Sequence, residues 1–288
     1  MKERYLTYIL ILPSVAVLAF VSLFPFIMNI YYSLFSIRFN VPGEPSFVGV
    51  GNFADLFMDP VFYNGVVLTF TFLSASLIIE MLLGLGVALL LAKELRGARI
   101  FRTLIMLPIV MTPAVVGMTW RALFNPSFSI INYFAQYLGL YSKWTADPRT
   151  VMPSLILVDI WQWTPFVALI LLAGLQALPR EPFEAAQIDG ASSLRSFLHI
   201  TLPLLSPIIM IAALFRLIDL VKTFDMIFVI TRGGPGYSSE TLAINAFRRA
   251  FISFDVGSGA ALSLIMLIVV IVMTLFLVRR ISGPLRGE

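Results

Sequence analysis

Long apolar runs separated by short polar connectors dominate the chain. No residue between Arg4 and Arg38 is charged. A bilayer core takes about 20 apolar residues per helix. This run therefore predicts a first span over about Leu6–Leu34, kinked at Pro13 and Pro25. Later runs predict spans over Val66–Ala92, Thr103–Phe124, Val151–Ala177, Leu204–Ile230 and Ser258–Val278. The second contains Glu80, the fourth contains Asp159, and the second half of the fifth is charged. The runs are continuous rather than alternating, which favours helices over barrel strands. The expected fold is an all-α integral membrane protein of six transmembrane helices, one domain over residues 1–288. Lys2 and Arg4 suit the start of a secretory signal. The run behind them is too long and lacks an A-x-A-type cleavage site, so an uncleaved helix is expected.

Composition sharpens this. Apolar residues make up 59% and charged residues 12% of the chain, against about 45–50% and about 25% in soluble proteins. Mean hydropathy is +0.93. A water-soluble globule cannot bury so much apolar surface behind so few charges. A formal charge of +4 is too small and too scattered for a nucleic-acid binder. With no cysteine there is no disulfide, thiol catalysis or thiolate metal site. A single histidine, His199, leaves little for a metal cluster or a His-based triad, so no metal and no catalytic residue is expected. No G-x-x-x-x-G-K-[ST] motif occurs, so ATP hydrolysis by this chain is not expected.

Loop charges orient the spans. With the N-terminus inside, the inner segments hold Lys2, Arg4, Lys93, Arg96, Arg99, Arg102, Arg180, Arg195, Arg279, Arg280 and Arg286. The outer ones hold only Arg38, Lys143, Arg149, Arg232, Arg248 and Arg249. Both termini are expected on the cytoplasmic side. The clearest contrast is the Lys93–Arg102 loop, where four basic residues face only Glu94.

The connector between spans four and five, residues 180–203, is not an ordinary loop. Pro182 can open a short helix, where its missing N–H costs nothing. Asp189-Gly190 reads as a turn, with Gly190 in the left-handed position after a helix end. Ser192 or Ser193 can cap a second helix running towards Ile200 and stopping before Pro203. The pattern predicts a helix–turn–helix on the cytoplasmic membrane face. Ala185, Ala186 and Ala191 allow close approach by another surface, and Glu184 and Asp189 can meet a basic groove. An amphipathic helix resting on headgroups is the plainer alternative. Carboxylates beside Ala185 and Ala186 argue mildly against it, since anionic lipid prefers Lys and Arg.

This segment resembles the EAA motif of ABC-importer permeases. That motif is EAA, three residues, then G, with I-x-LP further on. Here it reads Glu184-Ala185-Ala186, Gln187-Ile188-Asp189, Gly190, then Ile200-Thr201-Leu202-Pro203. The six-span plan, the run LFNPSFSIIN at Leu123–Asn132, ALPREPFEAA, and RGGPG at Arg232–Gly236 extend the resemblance. It is nearest to the carbohydrate-uptake branch, and in particular to the larger permease subunit of maltose importers. That subunit has additional N-terminal membrane helices, whereas this chain is expected to begin directly with the six-helix core. The resemblance implies a prokaryotic inner-membrane permease whose residues Glu184, Ala185, Ala186, Asp189 and Gly190 couple it to a cytoplasmic ATPase. It implies two ATPase subunits that bind the ATP and Mg, a second similar permease, and an extracytoplasmic solute-binding protein. No cofactor is expected in this chain.

Ionisable residues inside spans are costly and usually face protein or water. In span five, Arg216, Asp219, Lys222 and Asp225 recur every three residues with alternating sign. Neighbours at i, i+3 can pair along one helix. The pattern reads either as an internal salt-bridge ladder or as a polar wall of a passage, and the two are compatible. Glu80 is expected to pair with another helix. In span four, Asp159, Gln162, Trp163 and Phe166 fall on one face. Polar groups beside aromatic rings suit the hydroxyls and C–H faces of a sugar, and they equally suit helix packing or an interfacial belt. The resemblance assigns solute contact to Asp159, Gln162, Trp163, Phe166, Arg216, Asp219 and Leu220. Three of these are charged, unlike the mainly neutral contacts expected in the maltose relative. Pro108 and Pro113 in span three create breaks where carbonyls can line a cavity or simply kink the packing. Two rivals come from other classes. An ion-coupled carrier would use Asp159, Arg216 and Asp219 and leave the EAA segment idle. A membrane-embedded enzyme lacks any paired catalytic motif.

Overall fold

In a computed structural model, residues 2–40, 43–93, 98–125, 127, 129–139 and 143–285 are described. Glu94 and Arg96 of the basic loop, Pro126 and Phe128 of the Leu123–Asn132 run, and Arg286 lie outside them. The described chain is helical almost throughout. Its only ladder pairs β1 (Phe35–Ser36) with β2 (Ser46–Phe47), antiparallel, Phe35 opposite Phe47. Five helices are long and apolar enough to cross a membrane, and a bent pair makes a sixth if it counts as one span.

Contacts divide the chain into two compact units, residues 1–63 with 245–268, and residues 64–244 with 269–288. The first unit begins with α1 (Lys2–Ser33), which runs through Pro13 and Pro25 as one helix. Its stretch Ile11–Ser33 has mean hydropathy 2.3. After the β-ladder comes α2 (Gly51–Met58). The buried amide of Asn52 donates to the carbonyls of Ser33 at 2.8 Å and Phe35 at 2.9 Å, satisfying groups that the end of α1 leaves open. Arg249 binds Asn245 and Ser258 and pairs with Asp59, so one guanidinium ties together three parts of this unit.

The second unit takes up most of α3 (Pro60–Ala92), then α4 (Ala98–Val110), α5 (Pro113–Leu123) and the short α6 (Ile130–Ala135). It continues through α7 (Val151–Gln176), α8 (Glu181–Ile188), α9 (Ser193–Ser196), α10 (Leu202–Lys222) and α11 (Asp225–Thr231). The chain then leaves it through α12 (Leu242–Phe247) and α13 (Val256–Leu285), each of which straddles the unit boundary. Its apolar core forms where α3, α7 and α10 meet, with Ala88, Leu91, Val167, Leu171, Leu205 and Ala212 buried together. The helices approach closely because Gly84 faces Val167. A Cβ at Gly84 would lie 2.5 Å from the valine Cγ1. Small residues at such crossings are what let helices pack inside a membrane.

Two expected spans differ from their sequence reading. The run Thr103–Phe124 is not straight: Ile100–Val110 and Pro113–Leu123 meet at 94°. Thr112 precedes Pro113 and is forced into extended geometry (φ −67, ψ 144), which ends α4 and starts α5 in a new direction. The run Leu204–Ile230 is broken at Thr223 and Phe224, beyond which α11 begins. The second helix of the 180–203 connector does not stop before Pro203. It passes through a π-helical turn at Phe197–Thr201 into α10, giving one helix from Ser193 to Lys222, 30 residues long. Pro203 lies in the first turn of α10, where a missing N–H is tolerated, and the wider π turn carries the chain through.

Candidate functional site

Arg216 lies on α10 and is 1% exposed. Its Nε and Nη2 donate to both carboxylate oxygens of Glu80 on α3, at 2.7 and 2.9 Å. Nη2 also reaches Asp159 on α7 at 2.9 Å, and Nη1 reaches Asp219 one turn along α10 at 2.8 Å. The guanidinium carbon lies 4.8 Å from the centre of the Trp163 ring. One arginine therefore joins three helices through a forked carboxylate pair, two further carboxylates and a ring face. Only a guanidinium has the donor fork and planarity to do this.

The expected i, i+3 ladder has two of its three rungs. Asp219 bridges Arg216 and Lys222, the latter at 3.7 Å. Asp225 lies beyond the break and, among the described residues, joins no ion pair. Glu80 pairs across to another helix as the sequence suggests.

A cavity of about 260 Å³ opens above this cluster. Asp159, Gln162 and Trp163 of α7 line it with Asp219 and Lys222 of α10. Pro113 closes it at one helix break, and Thr223, Phe224 and Asp225 close it at the other. Discontinuous helices at membrane depth are tolerated where they border a cavity. Both breaks meet that condition here. At the first, the orphaned carbonyl of Met111 accepts a hydrogen bond from the Gln162 amide at 3.2 Å. Gln162 is thereby anchored and presents only part of itself to the cavity.

Of the seven residues that the resemblance assigned to solute, four line the cavity: Asp159, Gln162, Trp163 and Asp219. Arg216 lies underneath them. Phe166 and Leu220 are not among its lining. Phe166 packs edge-on against Trp163 and Phe215, with ring centres 6.1 and 6.5 Å away. Leu220 is buried in the core. Residues brought in by the breaks, above all Thr223 and Phe224, were not singled out from sequence. No Pro or Gly marks that break.

The EAA segment is well formed. Pro182 sits in the first turn of α8. Gly190 follows it at φ +70, with Gly190 N–H donating to Gln187 O at 3.1 Å and Ala191 N–H to Ala186 O at 2.9 Å. That pair of bonds is the Schellman closure of a helix end. Ser192 then caps α9 through the Arg195 N–H. Glu184, Ala185, Asp189 and Gly190 are exposed, Ala186 is half-buried, and α8 buries no residue at all. Ile188 is 87% exposed.

Residues 80–284 match the family described as binding-protein-dependent transport system inner membrane component. A probable ABC transporter permease protein, y4oQ of Sinorhizobium fredii, is 38% identical over 271 residues, 94% of this chain and 88% of that protein. The trehalose/maltose transport system permease protein MalF of Thermococcus litoralis is 34% identical over 275 residues, 95% of this chain and 92% of that protein. Among solved structures, a chain of a bacterial ABC transporter that imports the acidic polysaccharide alginate superposes with a TM-score of 0.84. It covers 98% of this chain and 96% of that one at 21% identity, a likeness of fold.

Proposed function

This chain belongs to the family of binding-protein-dependent transport inner membrane components, and from that premise we propose that it forms half of the path by which an ABC importer moves a sugar, polyol or related solute. The family is one of multi-pass inner-membrane permeases rather than enzymes. In this reading residues 1–288 act as one permease domain beside a second, similar subunit. ATP and Mg are bound and turned over by two cytoplasmic ATPase subunits, and an extracytoplasmic binding protein delivers solute.

The observation that carries the reading is the unbroken helix Ser193–Lys222. At about 1.5 Å per residue it spans about 35 Å between the α8–α9 turn and Arg216. An ATPase that grips the exposed α8 through Ile188, Ala185 and Ala186, with Glu184 and Asp189 at its rim, moves a rod whose far part holds the cavity wall. Closure of the ATPases then turns the cavity outward, and reopening turns it inward. Asp159, Gln162, Trp163 and Asp219 meet the solute there, with Arg216 fixing their positions. The charged lining favours a neutral polyhydroxyl solute. Asp219 is 35% exposed at its side chain, Asp225 has no ion-pair partner among the described residues, and only Lys222 offsets them. An ion-coupled carrier would leave the capped, exposed α8 without a role.

The orientation puts both termini and α8 in the cytoplasm and the Gly233–Gly236 loop outside. A cysteine-free chain allows a direct test in oriented membrane vesicles. Ser192→Cys should react with an impermeant maleimide only from the cytoplasmic side, and Ser238→Cys only from outside. Reaction of both from one side overturns the orientation and with it the ATPase docking.

A further inference from the structure

The ends of α3 and α7 and the body of α8 border, with α4, a second, open cavity of about 950 Å³. It is separate from the cavity at the helix breaks and shares no residue with it. Among the described residues, Lys93, Arg102 and Arg180 line it, against one carboxylate, Glu184. Arg102 spends Nη2 on the carbonyl of Leu91 at 2.9 Å, which closes the end of α3. Its Nε is buried and has no hydrogen-bond partner among the described residues. A buried donor on a cation is costly to leave unmade. Lys93, Arg180 and Glu184 join no ion pair among the described residues. Between these cations the wall is apolar, with Met106, Leu175 and Phe183 in it.

We propose that this cavity holds the headgroup phosphate of an anionic phospholipid, with its glycerol and upper acyl carbons against Met106, Leu175 and Phe183. Three features point to lipid rather than to a free anion. The long apolar helices α3 and α7 end at Ala92 and Gln176, so the cavity lies at the level where hydrocarbon gives way to water. Its lining is amphipathic, cations beside apolar side chains, as a headgroup joined to acyl chains requires. The excess of cations selects negative over zwitterionic headgroups. The inference rests on the proposed orientation only for the leaflet, which would be the cytoplasmic one. A lipid bound there touches Arg180, Phe183, Glu184 and Gln187 of the α8 region, so the lipid would set the seat from which α8 meets its ATPase.

Native mass spectrometry of the detergent-purified transporter complex tests this, without nucleotide or solute. The complex is titrated with phosphatidylglycerol, phosphatidylcholine or inorganic phosphate. We expect retained phosphatidylglycerol, little phosphatidylcholine, and no displacement of lipid by millimolar phosphate. Lys93→Gln and Arg180→Gln, both exposed and safe for folding, should each weaken phosphatidylglycerol retention by about fivefold. Arg279→Gln, outside the cavity, should leave it unchanged. Equal retention in all three variants overturns the site. Displacement by inorganic phosphate overturns the lipid in favour of a free-anion pocket. Loss of the ATPase subunits from Lys93→Gln or Arg180→Gln with phosphatidylglycerol retention unchanged assigns those cations to subunit docking, and also overturns it. Because α8 docking is read separately, through Gly190, failure of the lipid site leaves the proposed transport function standing.

Discussion

The cluster around Arg216 and the α8 turn are opposites. The first is charged and buried, and Glu80, Asp159 and Asp219 together engage all three nitrogens of one guanidinium. The second exposes apolar Ile188 and small alanines on a helix with nothing buried. Burying charge is costly, and Arg216 offsets that cost by bonding all three carboxylates, while Asp159 Oδ1 is buried without a hydrogen-bond partner among the described residues. Exposing a large apolar side chain beside a cap is ordinary once, but a helix whose best-covered residues, Pro182, Phe183 and Ala186, are only half-buried has little packing to order it. Its order comes from its own turn chemistry at Gly190 and Ser192. One region turns its polar groups onto one another, and the other leaves its side chains open to solvent.

Removing the arginine should produce the largest effect. Arg216→Met leaves three carboxylates clustered at membrane depth without their cation, which costs about 3–5 kcal/mol. The expected outcome is loss of folded protein, read as yield and thermal unfolding in detergent. Arg216→Lys should recover only part of it, since an ammonium cannot fork onto Glu80 while reaching Asp159 and Asp219. If Arg216→Met is as stable as the parent chain, the cluster does not hold α3, α7 and α10 together.

The same kind of change at the other region should spare the fold. A Cβ at Gly190 meets nothing within 4 Å, so Gly190→Val suffers only from the left-handed backbone at φ +70. That strain is about 1–2 kcal/mol for a β-branched residue and less for Asn. The Schellman closure opens and α8 loses its angle. Thermal unfolding should shift little, while ATPase co-purification and ATP-driven uptake fall by an order of magnitude. Gly190→Asn should restore most of both. Equal uptake by Gly190→Val and the parent chain would break the comparison, because α8 geometry would then not matter.

How much of this could be read in advance differs between the regions for a physical reason. The α8 turn is local. Pro182, Gly190 and Ser192 each act on neighbours within a few residues, and the sequence announced all three. The apolar runs were equally plain, because apolar length is a property of a run, but the breaks inside the third and fifth were not. The Arg216 cluster is not local: Glu80 and Arg216 are 136 positions apart. Sequence could say that Glu80 needed a partner but not which one. The i, i+3 spacing suggested a complete ladder on one helix. It failed at Asp225 because the helix ends at Lys222, and the Thr223–Phe224 break carries no Pro or Gly to mark it. The bend at Thr112 was signalled by Pro113, but its 94° was not. That bend exposes the Met111 carbonyl which Gln162 then takes, so a residue read as a solute ligand also has a structural task.

Smaller effects distinguish the cavity wall from its support. Trp163→Ala removes a ring that lines the cavity while Arg216 lies against it. A cation–π contact is worth about 0.5–2 kcal/mol, so some loss of stability is expected beside the loss of transport. Gln162→Ala leaves the Met111 carbonyl unpaired, at about 1–3 kcal/mol if no water replaces it. Uptake and solute-stimulated ATPase activity, measured at matched amounts of folded complex, separate the two roles. A wall residue lowers both beyond its effect on yield. If neither substitution alters uptake rate or solute selectivity at matched expression, this face of α7 only packs helices.

The smallest effect is expected at Lys222. Its side chain is 66% exposed and lies 3.7 Å from Asp219, whose other oxygen is already held by Arg216. A pair so exposed contributes about 0–1 kcal/mol, so Lys222→Gln should leave thermal unfolding nearly unchanged. Transport is another matter, because among the described residues Lys222 is the only cation in a lining that also holds Asp159, Asp219 and Asp225. Removing Lys222 makes the wall more negative by one charge without disturbing the Arg216 contacts beneath it. Uptake of a neutral sugar should hold within about twofold, while inhibition by an anionic sugar analogue should weaken further. An unfolding shift as large as that of Arg216→Met would mean that Lys222 belongs to the buried framework. The line drawn here between satisfied core and open wall would then lie in the wrong place.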